Sequence, residues 1–209
     1  METLNNHSQA LQSWRFLSTA PLSGVDNMRL DAECLKGVEQ EQVPATLRFF
    51  RFKEPTLSYG RLQKLVDVLP LLPDGWAPVQ RPTGGGIVRH DGDLCFSLCW
   101  KEGQAPLPKK PQEQYRWIHS IVLEALSGNV AARMASCCDV AEPKEPFSIR
   151  TCFQNPVGFD LLQDQKKIVG GALRCTRRAT LYQGSLQAAV TPAFEERLTM
   201  AFLDRLPAS

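Results

Sequence analysis

Three consecutive glycines, Gly84, Gly85 and Gly86, stand in a stretch that begins with Arg81 and Thr83. Glycine has no Cβ, so it tolerates positive φ angles and lets a ligand approach the main chain closely. Successive main-chain N–H groups in such a turn can bind an anionic or polar ligand. The glycines alone are equally compatible with a hairpin loop that has no chemistry.

The residues after the glycines change from a turn to a strand pattern. His90 follows Ile87 and Val88, and it can either orient the loop or touch a ligand. From position 94 to 100, apolar and small polar residues alternate, which is typical of a half-buried strand. The apolar face comprises Leu94, Phe96, Leu98 and Trp100, and the other face comprises Cys95, Ser97 and Cys99.

A lysine begins a second glycine-containing stretch, in which Lys167 precedes Gly170, Gly171 and Ala172. Near a glycine-lined pocket, an ammonium group can pair with a carboxylate or phosphate, or stabilise a developing oxyanion. If it is partly buried, it can also take part in proton transfer. The alternative is a solvated charge on a hairpin, which is the usual state of a lysine. The neighbouring Lys166 is expected to face solvent, because successive strand residues point to opposite sides.

These two stretches resemble one known superfamily. Arg-Pro-Thr-Gly-Gly-Gly-Ile-Val-Arg-His-Asp, which starts at Arg81, is similar to the ligand loop of the biotin/lipoate protein ligases and acyltransferases. Lys-Ile-Val-Gly-Gly-Ala, which starts at Lys167, is similar to the lysine motif of the same superfamily. The resemblance covers most of the chain, from about Trp14 to Leu186. It implies an α+β fold, a mixed β-sheet with packed helices.

A third stretch resembles one branch of that superfamily. Cys152 begins Cys-Phe-Gln-Asn-Pro-Val-Gly-Phe-Asp, which is similar to a motif of the cysteine-dependent octanoyltransferases. In that branch the cysteine attacks an acyl thioester and holds the acyl group covalently. A thiolate suits this role as a strong nucleophile, and a nearby ammonium such as that of Lys167 would favour it. Two alternatives stay open: a buried apolar Cys152, and an ATP-dependent ligase that carries the same Cys-Phe pair.

The resemblance also implies roles for the other motif residues. Arg81 would hold the carboxylate, phosphate or carbonyl end of the ligand by forked hydrogen bonds, and Lys167 would contact the acyl carbonyl or acyl-adenylate. A tunnel for an acyl chain would gain affinity from burial, at about 0.8 kcal/mol per methylene. Its lining would be Gly84, Gly85, Gly86, Ile87 and Val88, and further binding residues would be Thr83, His90, Gly170, Gly171 and Ala172. Gln183 stands where the superfamily often has His, so it is given no acid–base role.

The implied function is transfer of an octanoyl or lipoyl group, through a Cys152 thioester, to a lysine of a lipoyl carrier domain. The donor would be octanoyl-acyl carrier protein, and the acceptor a 2-oxoacid dehydrogenase subunit or the glycine cleavage H protein, with no cofactor. A lipoate–protein ligase would instead use free lipoate with ATP and Mg²⁺. A non-catalytic acyl-binding relative is a third alternative, because a fold does not prove turnover. Biotin ligase is disfavoured, because the Gly-Arg-Gly-Arg loop of those enzymes is absent.

Length and composition suit a globular protein. The chain has 209 residues, 43% hydrophobic and 22% charged, which fits a polar N-terminal tail (1–13) and one catalytic domain (14–209). The net charge of +2 provides no field that would favour a nucleic-acid or membrane partner. The N-terminal residues lack the apolar region of a signal peptide, so a cytoplasmic location is expected.

The seven cysteines are odd in number and scattered along the chain. This pattern is poor for a disulfide framework and suits a reducing compartment. The ligand spacings of known zinc sites are missing, so no metal site is expected.

Periodicity and turn residues predict the elements that position these motifs. An N-cap at Asp26 or Asn27 is expected to open the first helix. Because strand runs are mixed with a few helices, α+β is favoured over a regular βαβ ladder. The predicted strands are 14–17, 46–52, 56–61, 94–100, 158–162, 167–173 and 179–186, and the predicted helices are 26–38, 112–125 and 191–206.

Overall fold

The computed structural model describes residues 14–205 except 105–106, 141, 143–144, 190 and 192. The predicted N-terminal tail lies outside these residues, as does Pro192. In chain order the elements are β1 (Trp14–Ser18), α1 (Gly24–Glu39), β2 (Ala45–Phe50), β3 (Thr56–Tyr59), α2 (Leu65–Val68), β4 (Ala77–Gln80), β5 (Val88–His90), β6 (Leu94–Lys101), α3 (Pro111–Leu126), β7 (Arg133–Met134), β8 (Leu161–Gln163), β9 (Lys166–Cys175), β10 (Ala179–Leu186) and α4 (Ala193–Leu203).

The strands form two mixed sheets, so the predicted α+β class is confirmed. The larger sheet has the order β1-β2-β6-β10-β9-β8-β7, in which β1 and β2 are parallel and the other pairs antiparallel. The smaller sheet has the order β4-β3-β5, with one parallel and one antiparallel pair. This smaller sheet carries the glycine loop between β4 and β5.

Helices cover the larger sheet on both sides. On one side, α3 and α4 pack through Ile118, Ile121, Leu198 and Phe202 against Phe96 and its neighbours on the sheet. On the other side, α1 packs against β6 and β10 through Leu35 and Val38. Burial of these apolar faces contributes about 25 cal/mol per Å² of area removed from water.

The prediction of a half-buried strand at 94–100 is wrong in one respect. The alternation is real, but every residue from position 94 to 100 is buried. The apolar face meets α3 and α4, and the face with Cys95 and Cys99 lies beneath α1. A sequence pattern shows which residues share a face, but not that a distant helix covers the more polar one.

Several boundaries also differ from the prediction. The N-cap of α1 is Ser23, whose Oγ accepts a hydrogen bond from the N–H of Asp26 at 3.1 Å, instead of Asp26 or Asn27. The short helix α2 was not predicted, and the predicted strand 158–162 begins only at Leu161. Asp164 and Gln165 both have positive φ angles, as a two-residue hairpin turn between β8 and β9 requires.

None of the described helices combines the length and the apolar character that a membrane span requires.

Candidate active site

A cavity lies between the larger sheet, the smaller sheet and α1. Its lining is mostly apolar and includes two thiols and one guanidinium. The lining residues are Met28, Phe50, Phe52, Arg81, Val88, His90, Cys95, Cys152, Phe153, Gly170, Gly171, Ala172, Gln183, Gly184 and Ser185.

Cys152 reaches this cavity because its segment pairs with the glycine loop. The N–H of Ile87 donates to the carbonyl of Arg150 at 2.7 Å, and the N–H of Cys152 donates to the carbonyl of Ile87 at 2.8 Å. These bonds bring the half-buried thiol to the loop, where Sγ accepts a hydrogen bond from the N–H of Gly86 at 3.0 Å. A main-chain donor on sulfur stabilises negative charge there.

Hydrogen bonds from Gln63 anchor the segment that precedes Cys152. Its Oε1 accepts from the N–H of Gly60 at 3.0 Å, and its Nε2 donates to the carbonyls of Phe147 and Ser148 at 3.0 and 3.1 Å. One buried amide therefore ties the smaller sheet to the segment that carries the thiol. Sequence reasoning did not identify Gln63, because these contacts join positions more than eighty residues apart.

Arg81 is buried, and it holds the glycine loop by hydrogen bonds. It donates to the carbonyls of Gly84 and Gly86 at 3.0 and 2.6 Å, and to Ser58 Oγ at 2.7 Å. The guanidinium also lines the cavity, so the contact with a ligand carboxylate stays a prediction. Burial lowers the pKa of Arg81, and the adjacent Cys152 opposes this effect.

Lys167 is buried, unlike a solvated hairpin lysine. Its Nζ lies 2.8 Å from Asp160 Oδ2 and donates to the carbonyl of Cys152 at 3.2 Å. The same ammonium lies 5.2 Å from the centre of the Phe153 ring, within cation–π range. A side chain at Gly170 would overlap Cε and Nζ of this lysine, so the glycine leaves the space that Lys167 occupies.

Asp160 is a functional candidate that sequence reasoning missed, although it closes the Cys152 motif. The side chain is fully buried and accepts hydrogen bonds from Tyr115 Oη at 2.5 Å and from the N–H of Val157 at 2.7 Å. Tyr115 Oη in turn accepts from the N–H of Gly171 at 3.0 Å. Burial raises the pKa of Tyr115 well above its usual range, so the hydroxyl keeps its proton for Asp160.

A buried histidine, His119, lies next to Tyr115 and Asp160. His119 Nδ1 donates to the carbonyl of Phe159 at 2.7 Å, which leaves Nε2 to accept from Tyr182 Oη at 2.7 Å. Burial lowers the pKa of His119 to about 3, so the ring is neutral at physiological pH. Phe159 has a φ angle of +73°, a strained value for a non-glycine residue immediately before Asp160.

His90, Asp93 and Cys95 form a second buried polar cluster at the cavity wall. Their ligand atoms lie within 4.8 Å of one another, close enough to hold a metal ion. His90 Nδ1 and Cys95 Sγ lie 2.8 and 3.4 Å from Asp93 Oδ2, as hydrogen-bonded groups do. Burial and the neighbouring Asp93 raise the pKa of Cys95 well above its usual range, which keeps the thiol protonated.

The predicted site residues divide into three groups. The first group lines the cavity and comprises Arg81, Val88, His90, Cys152, Gly170, Gly171 and Ala172. Lys167, Gly84, Gly85 and Gly86 lie beside these residues. Thr83 and Ile87 are buried elsewhere: Thr83 donates to Gln183 Oε1 at 2.7 Å, and Ile87 packs against Leu57 and Tyr59. Ile87 therefore lies in the core, and its neighbour Val88 lines the cavity.

The other walls of the cavity come from residues without a motif. Met28, Phe50 and Phe52 line it on the side of α1 and β2. The sequence predicts that Met28 is a core residue. Its helical spacing would be the same whether it packed in the core or lined a cavity. No sequence signal would have separated the two roles.

Comparison with known proteins places this geometry in context. The family model described as "Lipoyl protein ligase A/B catalytic domain" matches residues 23–199. Octanoyltransferase LipM of Kyrpidia tusciae is 31% identical over 192 residues, which cover 87% of this chain and 68% of that protein. Octanoyltransferase LipM of Geobacillus kaustophilus is 32% identical over 183 residues, which cover 85% of this chain and 66% of that protein. The chain thus spans about two thirds of the length of these curated relatives.

Solved structures share the fold. A putative lipoate protein ligase from T. acidophilum superposes with a TM-score of 0.66 at 20% identity, covering 92% of this chain and 85% of that chain. Lipoate-protein ligase A bound with ATP superposes with a TM-score of 0.59 at 21% identity, covering 90% of this chain and 77% of that chain. These likenesses confirm the predicted ligase-like fold.

Proposed function

The chain belongs to the lipoyl protein ligase A/B catalytic domain family, and from that premise we propose that it transfers an octanoyl group to a lysine of a lipoyl carrier domain. The acyl group would pass through a thioester on Cys152. The observation that carries this proposal is the position of Cys152 Sγ at the cavity wall, 3.0 Å from the N–H of Gly86. The relatives named octanoyltransferase support acyl transfer over ATP-dependent ligation.

In the first step, Cys152 Sγ attacks the carbonyl carbon of the octanoyl thioester on the donor. The new carbon–sulfur bond forms, the bond to the carrier sulfur breaks, and the carrier thiol leaves with the proton. One thioester replaces another, so no ATP is required. The mostly apolar cavity would take the octanoyl tail, because each buried methylene contributes about 0.8 kcal/mol.

Lys167 would stabilise the oxyanion that forms during this attack. An ammonium has three N–H donors, and in the described part of the chain two of them bind Asp160 and the carbonyl of Cys152. The remaining donor is available to the acyl oxygen beside the thiol. A fixed charge that meets an oxyanion in a buried site lowers the barrier without reorganisation.

In the second step, the acceptor lysine attacks the Cys152 thioester. An amide bond forms, the thioester bond breaks, and the proton of the amine returns to the thiol of Cys152. We propose octanoyl-acyl carrier protein as the donor, and a 2-oxoacid dehydrogenase subunit or the glycine cleavage H protein as the acceptor. All seven cysteines are free, which fits a reducing compartment and supports a cytoplasmic location.

The test is intact-mass spectrometry of the protein mixed with octanoyl-acyl carrier protein in the absence of ATP. We expect an octanoyl adduct on the wild type that passes to a lipoyl domain, and no adduct on Cys152→Ser. Activity with free lipoate that requires ATP and survives in Cys152→Ser would instead establish the ligase. Binding of octanoate without adduct or transfer would establish a non-catalytic acyl-binding protein.

A further inference from the structure

A chain of buried hydrogen bonds runs from Arg81 into the smaller sheet. Arg81 Nη1 donates to Ser58 Oγ at 2.7 Å, Ser58 Oγ lies 2.7 Å from His90 Nε2, and His90 Nδ1 lies 2.8 Å from Asp93 Oδ2. Ser58 and His90 sit on the paired strands β3 and β5. The function proposed above uses none of Ser58, His90 and Asp93.

The chemistry of these groups determines where the protons lie. A guanidinium has only donors, so Ser58 Oγ accepts from Arg81 and gives its own proton to His90 Nε2. The ring then carries its proton on Nδ1 and donates it to Asp93. A proton on Nε2 would leave Ser58 Oγ with two incoming donors and its own proton without an acceptor among the described residues. The assignment thus gives every bond one donor and one acceptor.

The far end of the chain is anchored by Asp93. Its Oδ2 also accepts from Ser185 Oγ at 2.5 Å, and the side chain is 5% exposed. Although burial opposes a charged carboxyl, the pKa of Asp93 is lowered because His90, Ser185 and Cys95 favour the charged form. The second oxygen, Oδ1, is buried without a partner in the described structure. Asp93 and Arg81 thus lie at opposite ends of the chain of hydrogen bonds, with Ser58 and His90 between them.

The positive end lies next to the nucleophile. A Cβ built on Gly85 would be 3.4 Å from Arg81 Nη2 and 3.4 Å from Cys152 Sγ, so the two groups flank the same small space. A side chain there is strained as well, because Gly85 has a φ angle of +84°. The guanidinium also holds Gly86, whose N–H donates to the sulfur. Arg81 therefore acts on Cys152 both through its charge and through the loop.

We propose that Ser58, His90 and Asp93 are positioning residues, which hold the guanidinium of Arg81 beside Cys152 so that its charge stabilises the sulfur as it becomes nucleophilic. In this arrangement Arg81 stabilises negative charge on the sulfur of Cys152, and Lys167 stabilises the acyl oxyanion. This inference deepens the proposed function and rests on Cys152 as its nucleophile. It assigns to the glycine-loop arginine a role toward the protein's own sulfur, beside the ligand contact that the sequence predicts.

The test measures alkylation of Cys152 by iodoacetamide at one neutral pH, followed over time by mass spectrometry of the peptide that contains it. Loss of one hydrogen bond to a charged group in Ser58→Ala is expected to slow alkylation by about five- to tenfold. His90→Phe, which keeps a ring and removes both nitrogens, should slow it to a similar extent. Arg81→Met should slow it most, by more than about tenfold.

The matched control is Ser97→Ala, which removes another buried hydroxyl whose partner is Asp31 at 2.7 Å. This variant should alkylate Cys152 at the wild-type rate, and urea unfolding would show that the variants are folded. Wild-type alkylation in both Ser58→Ala and His90→Phe would overturn the proposal, as would equal slowing in Ser97→Ala. Because alkylation needs no acyl donor, this outcome is separate from failure of octanoyl transfer.

Discussion

The ammonium of Lys167 lies 2.8 Å from the carboxylate of Asp160, and the two side chains are 3% and 0% exposed. Desolvation makes such a pair costly unless further hydrogen bonds satisfy both groups. Here the carboxylate also accepts from Tyr115 and from the N–H of Val157, and the ammonium also donates to the carbonyl of Cys152. The pair therefore fixes the position of one positive charge beside Cys152, the proposed nucleophile.

Removing the charge of Asp160 should release Lys167. In Asp160→Asn the ammonium loses its counter-ion in a buried site, so we expect a loss of about 3 kcal/mol in the free energy of unfolding. Octanoyl transfer should fall by more than about tenfold, since the amine loses its orientation. Urea unfolding and the transfer assay measure the two effects. Asp164→Asn, at an exposed turn position, is the isosteric control and should change neither; a stable, active Asp160→Asn would contradict the role given to the pair.

Gly170 should tolerate no side chain. A Cβ there overlaps Nζ and Cε of Lys167, so Gly170→Ala is expected to displace the amine and reduce octanoyl transfer by about 100-fold, the usual range for one electrostatic donor. Gly158→Ala is the control, because a Cβ at that position meets nothing within 4 Å. Transfer rates of the two variants should differ sharply. Equal rates would mean that Lys167 is not needed where the structure places it.

Met28 should influence which acyl chain the cavity accepts. It lines the cavity from α1 and is 6% exposed, so Met28→Ala enlarges the space by several heavy atoms. We expect the rate ratio of decanoyl to octanoyl transfer to rise, at a cost of about 2–5 kcal/mol in stability. Leu35→Ala on the same helix removes a buried side chain away from the cavity. That control should lose stability and keep the ratio; a shift of the same size in both variants would rule out a specific role for Met28.

His119 should make the protein less stable in mild acid. Its pKa is lowered by burial from 6.5 to about 3, so between these values the unfolded chain binds a proton that the folded chain does not. The contribution of His119 to the free energy of unfolding is therefore fully present above pH 6.5. It decreases as the pH is lowered, by about 2 kcal/mol between pH 7 and pH 5. Urea unfolding at both pH values should show this loss in the wild type and a loss smaller by that amount in His119→Gln. An identical loss in the variant would count against a buried neutral ring.

Local patterns predicted most of the strands and the convergence of the two glycine motifs. Lys167 and Cys152 lie together as their motifs implied, because both adjoin a cavity lined by main chain. Asp160 and Gln63 were missed, since a buried carboxylate or amide has no signature until its partners are known. The protein contacts of Arg81 could not be predicted for the same reason: the motif identifies the cation, but not that Ser58 and the loop carbonyls accept its hydrogen bonds.

The glycines at 170, 171 and 184 all border the cavity, and a Cβ on any of them would overlap Lys167 or Tyr182. Any substitution at these three glycines adds side-chain atoms. Substitutions in this part of the wall therefore cannot enlarge the cavity. A wider cavity would require shorter side chains at other lining positions, such as Met28, Phe50 and Phe52.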